Sequence, residues 1–129
     1  MAFSGIQSIV DFYTVRESQL TNEVSDIMTE ITRATGEISE LAQDVSAQRE
    51  EVQAEYTPED SEYEVLMDDI NAEYQLKLAE LSSWESELEN QKSEKQTELQ
   101  ATTSYKQSYQ SMLKQNVQKD FTYGGSSKS

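Results

Sequence analysis

The stretch LTNEVSDIMTEITRATGEISELAQDV, residues 20–45, places an apolar or small residue at 20, 24, 27, 31, 34, 38, 41 and 45. The steps alternate between four and three. That is a 3.5-residue period, the beat of a helix that keeps one narrow stripe against a partner helix. A straight helix repeats every 3.6 residues, so holding 3.5 implies a supercoiled seam. With Val24 taken as an a position, the beat extends both ways. The a series is Phe3, Val10, Glu17, Val24, Ile31, Ile38, Val45 and Val52. The d series is Ile6, Tyr13, Leu20, Ile27, Ala34, Leu41, Gln48 and Glu55. Only Glu17, Gln48 and Glu55 interrupt it with polar side chains. The spacing therefore predicts a first helix over about 4–54. Ser4 followed by Gln7 fits a capping box, with Phe3 as its apolar staple.

Composition agrees with helix throughout. The chain of 129 residues has one proline, Pro58, and four glycines, at positions 5, 36, 124 and 125. Sheets need turns, and turns need those residues. A hydrophobic fraction of 35% suits narrow seams between long helices rather than a thick core. There is no Cys and no His, which excludes disulfides, Cys/His zinc sites and imidazole catalysis. The net charge of −15 repels nucleic acid and anionic lipid. The opening MAFSGIQSIVDFYTV lacks a basic start and a cleavage site, so it does not read as a cleaved signal peptide, and no segment is long enough to span a membrane.

The segment EYTPED, residues 55–60, is the one strong break. Thr57 suits a cap, Pro58 a first helical position, and Glu59 and Asp60 the positive end of a helix dipole. The turn is predicted at about 55–61 and a second helix at about 62–121. Tyr63, Met67, Ile70, Tyr74, Leu81, Trp84 and Leu88 hold the heptad beat there, with Lys77 as a lapse. ENQKSEKQTE, residues 89–98, has no apolar residue, and the beat resumes at Leu99 after an eleven-residue step that implies a local change of supercoil. GGSSKS, residues 124–129, reads as a helix stop and flexible tail.

Two seams joined by a short turn fold back on each other. The expected fold is all-α: a long antiparallel coiled-coil hairpin over 1–123, a thin rod with arms of about 75–90 Å at 1.5 Å per residue. Its intramolecular seam comprises Leu20, Val24, Ile27, Ile31, Ala34, Ile38, Leu41 and Val45 against Ile70, Tyr74, Leu81, Trp84 and Leu88. A turn centred on Pro58 pairs residues whose numbers sum to about 117. Trp84 is then expected over Ala34 and Gly36, large over small.

Apolar residues near both termini lie off this seam. Ile9, Phe12 and Val15 fall at g, c and f, and Met112, Leu113, Val117, Phe121 and Tyr123 spread over more than one face. A helix apolar all round is buried all round. These eight residues are the expected oligomer interface between copies of the chain; the competing reading is a wider local core. The polar stretch 89–98 also leaves Leu20, Val24, Ile27 and Met28 without an apolar partner. Either a neighbouring copy supplies one, or Lys92 and Lys95 cover the seam with their methylene stems. Residues 99–129 carry a local charge of +3, which either aligns neighbouring copies or matches Asp11, Glu17 and Glu23 on the first helix.

No enzyme motif and no cofactor site appears. Asp60, Glu62 and Glu64 alternate as calcium ligands do, but the glycine such a loop needs is missing, so the acidic turn reads as a solvated tip. There is no glycine-rich phosphate loop, and carboxylates on solvated helix faces have no cause for shifted pKa values.

With the uncleaved start MAFSGIQSIVDFYTV, the terminal beat SYKQSYQSMLKQNVQKDF and the absence of Cys, the layout resembles small all-helical secreted filament subunits: type III secretion needle and filament proteins and the terminal helices of flagellins. That resemblance implies a bacterial structural subunit, exported without a cleaved leader, whose partners are copies of itself together with secretion machinery or a chaperone. YTPED carries one proline and departs from the needle-type turn. The chain also resembles prefoldin-type chaperone subunits in length and layout. Their β-hairpins are not matched by QAEYTPEDSEYEVLMDDINAEYQ, residues 53–75, which reads as helix.

Overall fold

The computed structural model describes the backbone of residues 3–127 and the side chains of residues 4–118. The chain is an all-α helical hairpin: α1 spans Phe3–Glu55 and α2 spans Ser61–Ser127, with no strand among the described residues. The two helices run antiparallel, since rising positions on α1 pair with falling positions on α2. Side-chain bonds join Thr35 to Glu85 and Arg49 to Asn71. No helix among the described residues is long and apolar enough to cross a membrane.

Five residues make the reversal. Tyr56 N–H still donates to Val52 O at 2.9 Å, closing α1. A tight turn follows, with Asp60 N–H donating to Thr57 O at 2.9 Å, and Pro58 in its second position supplies the backbone angle that turn wants. The Asp60 carboxylate reaches back to accept from the Thr57 N–H at 2.9 Å and from its hydroxyl at 3.2 Å. This is the reciprocal half of a capping box. The regular helix thus begins at Ser61, and Thr57–Pro58 belong to the turn rather than to its first helical turn. Because residues 57–60 coil onto the start of α2, the point of reversal lies nearer Asp60 than Pro58. The pairs Thr35–Glu85 and Arg49–Asn71 accordingly sit about three residues beyond the register read from the sequence.

The residues group into two compact units. Unit 1 is Met1–Asp26 with Lys92–Ser129, and unit 2 is Ile27–Gln91. In unit 2, Ala34, Val45, Val52 and Leu88 are buried, and Ile27, Ile31, Ile38, Leu41, Ile70, Tyr74, Leu81 and Trp84 are half-buried. Two details differ from the heptad reading. Gln48 is exposed and Arg49 takes its place, donating to Asn71 Oδ1 and lying over the Tyr74 ring at 5.9 Å. On α2, Lys77 is exposed and Leu78 is half-buried. Both helices here step by four twice in succession, an eleven-residue repeat that relaxes the supercoil locally. An arginine stem packs well at such a step because its head remains wet.

Trp84 does not cover Gly36. Gly36 is exposed, with no atom within 4 Å of where a Cβ would stand. Trp84 instead lines an open groove with Leu41, Leu81, Glu37, Glu40, Asp44, Lys77 and Glu80. The reason is angular. Gly36 follows the buried d-position Ala34 by two residues, and two residues on from d is f, the outer face. Matching residue numbers across the hairpin ignored that rotation.

In unit 1, Ile6, Val10 and Leu20 are buried, and Tyr13, Glu17 and Val24 are half-buried. Opposite them run Lys92, Lys95, Leu99, Thr102, Lys106, Tyr109, Leu113 and Asn116, all withdrawn from full exposure. The eleven-residue interruption expected between Leu88 and Leu99 is absent: the four–three beat continues through Lys92 and Lys95. Their stems occupy the seam, and the Lys95 Nζ lies 3.1 Å from Glu23 Oε2. The helix also continues to Ser127, past Gly124 and Gly125, where the sequence reading ended it at about 121 with a tail over 124–129. A glycine costs about 1 kcal/mol in a helix without forbidding it, and no described glycine takes the positive φ of a left-handed stop.

Candidate self-association surface

Unit 1 concentrates the polar contacts of the seam. Glu17, at an a position, accepts from the Thr103 hydroxyl at 2.6 Å and from Lys106 Nζ at 2.7 Å. The side chains of Glu17 and Lys106 are each 22% exposed. Beside Glu17, Arg16 Nη2 donates to Glu98 Oε1 at 2.5 Å, while Arg16 Nη1 lies 3.9 Å from Glu23 Oε1. Thr102, buried on α2, turns its hydroxyl back to Glu98 O at 2.8 Å and so leaves nothing unpaired. A charged pair on an apolar seam adds little net stability, but it penalises any slipped register that separates the partners. Beyond this layer Tyr13 stacks on Tyr105 and on Tyr109, each at 5.9 Å between ring centres. Of the three acids that the basic C-terminal segment 99–129 could match, only Glu17 meets one of its lysines; Glu23 meets Lys95, outside that segment, and Asp11 accepts from Gln7 on its own helix at 2.9 Å.

The Lys106 hydrogen bond, and after it that of Thr103, holds the Glu17 carboxyl below its ordinary range. Arg16 does the same for Glu98. A carboxylate with a depressed folded-state pKa stabilises the fold above its unfolded value and loses that contribution as pH falls through the folded value. Urea titrations between pH 7 and pH 3 should therefore show stability falling once the pH drops below the ordinary carboxylate range near 4.5. In Glu17→Gln this fall should be shallower. An unchanged slope in that variant would show that Glu17 has no part in it.

Around this seam unit 1 leaves apolar side chains in water. Phe12 is 65%, Val15 57%, Tyr105 57% and Met112 42% exposed. The helix frame places them together. Arg16 and Glu98 are both g positions, and their ion pair marks one edge of the hairpin as the edge where g meets g. Ile9, half-buried, is a g position on that edge, and Tyr105 and Met112 are g positions of α2. Phe12 at c adjoins them, its ring edge-on to Tyr13 at 5.5 Å, and Val15 at f continues onto the outer surface.

The eight predicted interface residues thus divide. Ile9, Phe12, Val15 and Met112 share one edge, together with Tyr105, whose ring also stacks on Tyr13 across the hairpin. Leu113 is half-buried at an a position and belongs to the seam. Val117 is exposed at an e position, on the opposite edge. The side chains of Phe121 and Tyr123 lie outside the described residues. The signal that separates these groups, the g–g pairing of Arg16 with Glu98, is a contact between residues 82 apart in the chain. No group of described residues could hold a metal ion. No protein-family model, curated protein or solved structure matches the chain.

Proposed function

We propose that the chain is a structural, non-catalytic subunit that associates with copies of itself, as a component of a filament or similar exported bacterial assembly. The observation that carries this reading is the apolar edge of unit 1, where Phe12, Val15, Tyr105 and Met112 stand in water although the seam beside them is already filled. Scattered surface apolars are ordinary; a contiguous set on one edge is the mark of an interface. The layout shared with secreted helical filament subunits supports the same reading. A coiled-coil chaperone or secretion partner is the second reading. It is disfavoured by residues 61–75, which are helical where a prefoldin-type subunit would need β-hairpins to build its barrel.

The test is light scattering and negative-stain microscopy of the purified chain beside Phe12→Ser/Val15→Ser. Both side chains lie off the seam, so the double variant should retain its helical circular dichroism and lose association by at least about tenfold, two exposed apolar side chains being worth upwards of 1.4 kcal/mol. A wild-type chain that stays monomeric at high micromolar concentration would sink the proposal. So would a double variant that loses its helicity, because Phe12 and Val15 would then belong to the fold.

A further inference from the structure

We infer that copies pair through unit 1 alone, edge to identical edge, and that the charge of unit 2 governs whether these pairs assemble further. This rests on the reading that the chain self-associates, and it adds the partner surface and the control. The carrying observation is how the charge is divided. Unit 2 has eighteen acidic side chains against three basic ones, a net −15. Unit 1 has seven of each and is neutral. The whole net charge of the molecule therefore resides in unit 2, whereas the exposed apolar edge formed by Phe12, Val15, Tyr105 and Met112 resides in unit 1.

Two neutral surfaces meet without net repulsion, so the apolar edge of unit 1 is free to close on its own copy. The same patch on both partners satisfies a two-fold interface, which buries the edge and ends there. Growth beyond the pair needs a second contact. Any such contact through unit 2 sets −15 against −15, and this is unfavourable while the charges act at a distance. At about 0.01 M ionic strength the Debye length is about 30 Å, and at about 1 M it is about 3 Å. Screening removes the barrier and leaves exposed apolar side chains of unit 2, such as Val65 and Leu76, able to make contact. The assembly is thus built in two steps, one apolar and insensitive to salt, one gated by counter-charge.

The chain has no cysteine, so single introduced cysteines report proximity without background. Val15→Cys marks unit 1, and Leu76→Cys, 63% exposed in the parent chain, marks unit 2. At about 0.01 M salt the wild type should scatter as a dimer. Val15→Cys should then form its intermolecular disulfide at least about tenfold faster than Leu76→Cys. At about 1 M salt the mass should rise beyond the dimer and the two rates should converge. A mass that stays dimeric at both salts overturns the charge gate while leaving self-association intact. Equal cross-linking rates at low salt overturn the assignment to unit 1. A monomer at both salts overturns this inference and the proposed function together. Flotation of that monomer with phosphatidylcholine vesicles would make lipid the occupant of the edge.

Discussion

Replacing Leu20 with alanine should lower the unfolding free energy by about 2–5 kcal/mol, a large part of the total stability of a single domain. Leu20 is 0% exposed, and it lies at a d position of unit 1 between Glu17 and Val24. A seam has one layer of side chains, so no second layer can move in to fill the space. The cavity term therefore adds to the lost transfer free energy. Register places Leu20 level with Leu99 and Thr102, immediately beyond the Glu17–Lys106 pair, and opening that layer also admits water to a pair held by hydrogen bonds. Urea unfolding followed by circular dichroism, with protein concentration held fixed because association adds to apparent stability, reads the change directly. A loss below about 1 kcal/mol would mean that the layer collapses around the deletion and that unit 1 is not held by a filled seam.

The second large effect is a contrast between neighbours. Ala34→Phe should destabilise by about 1–3 kcal/mol, whereas Gly36→Ala should stabilise by about 0.5–1 kcal/mol. Ala34 is 0% exposed at a d position, so added volume there must push the helices apart or adopt a strained rotamer. Gly36 has open space around it, and an alanine Cβ relieves the entropy cost of glycine in a helix without touching anything. Two residues apart, the substitutions should move the urea midpoint in opposite directions. Destabilisation by both would place Gly36 against a partner surface and refute its outer-face position. Tolerance of phenylalanine at 34 would refute the seam.

How much of this was readable in the chain can be judged residue by residue. Leu20, Ala34 and Val45 sit where the four–three beat puts an inward side chain, because face is set by local helix geometry and needs no knowledge of the partner. Pro58 and Asp60 announce the reversal for the same local reason: one lacks an N–H and the other caps. Lys92 and Lys95 show the first limit. A hydropathy pattern counts a lysine as polar, whereas the folded seam uses its four methylenes and lets the ammonium reach Glu23. Trp84 and Gly36 show another: residue numbers gave an approximate pairing, and rotation about each helix axis decided that they do not touch.

Taken alone, the sequence determined the two helices, their apolar stripe and the place of the turn, since each follows from interactions within a few residues. It also determined the total charge. Only the tertiary structure decided the register, and with it the partners of Glu17, the placement of Leu113 on the seam, and the sorting of Ile9, Phe12, Val15, Tyr105 and Met112 onto one edge. Those depend on contacts between residues as many as 89 positions apart. A shift of three or four residues along α2 leaves every local preference satisfied and changes only the energy of side chains meeting across the seam.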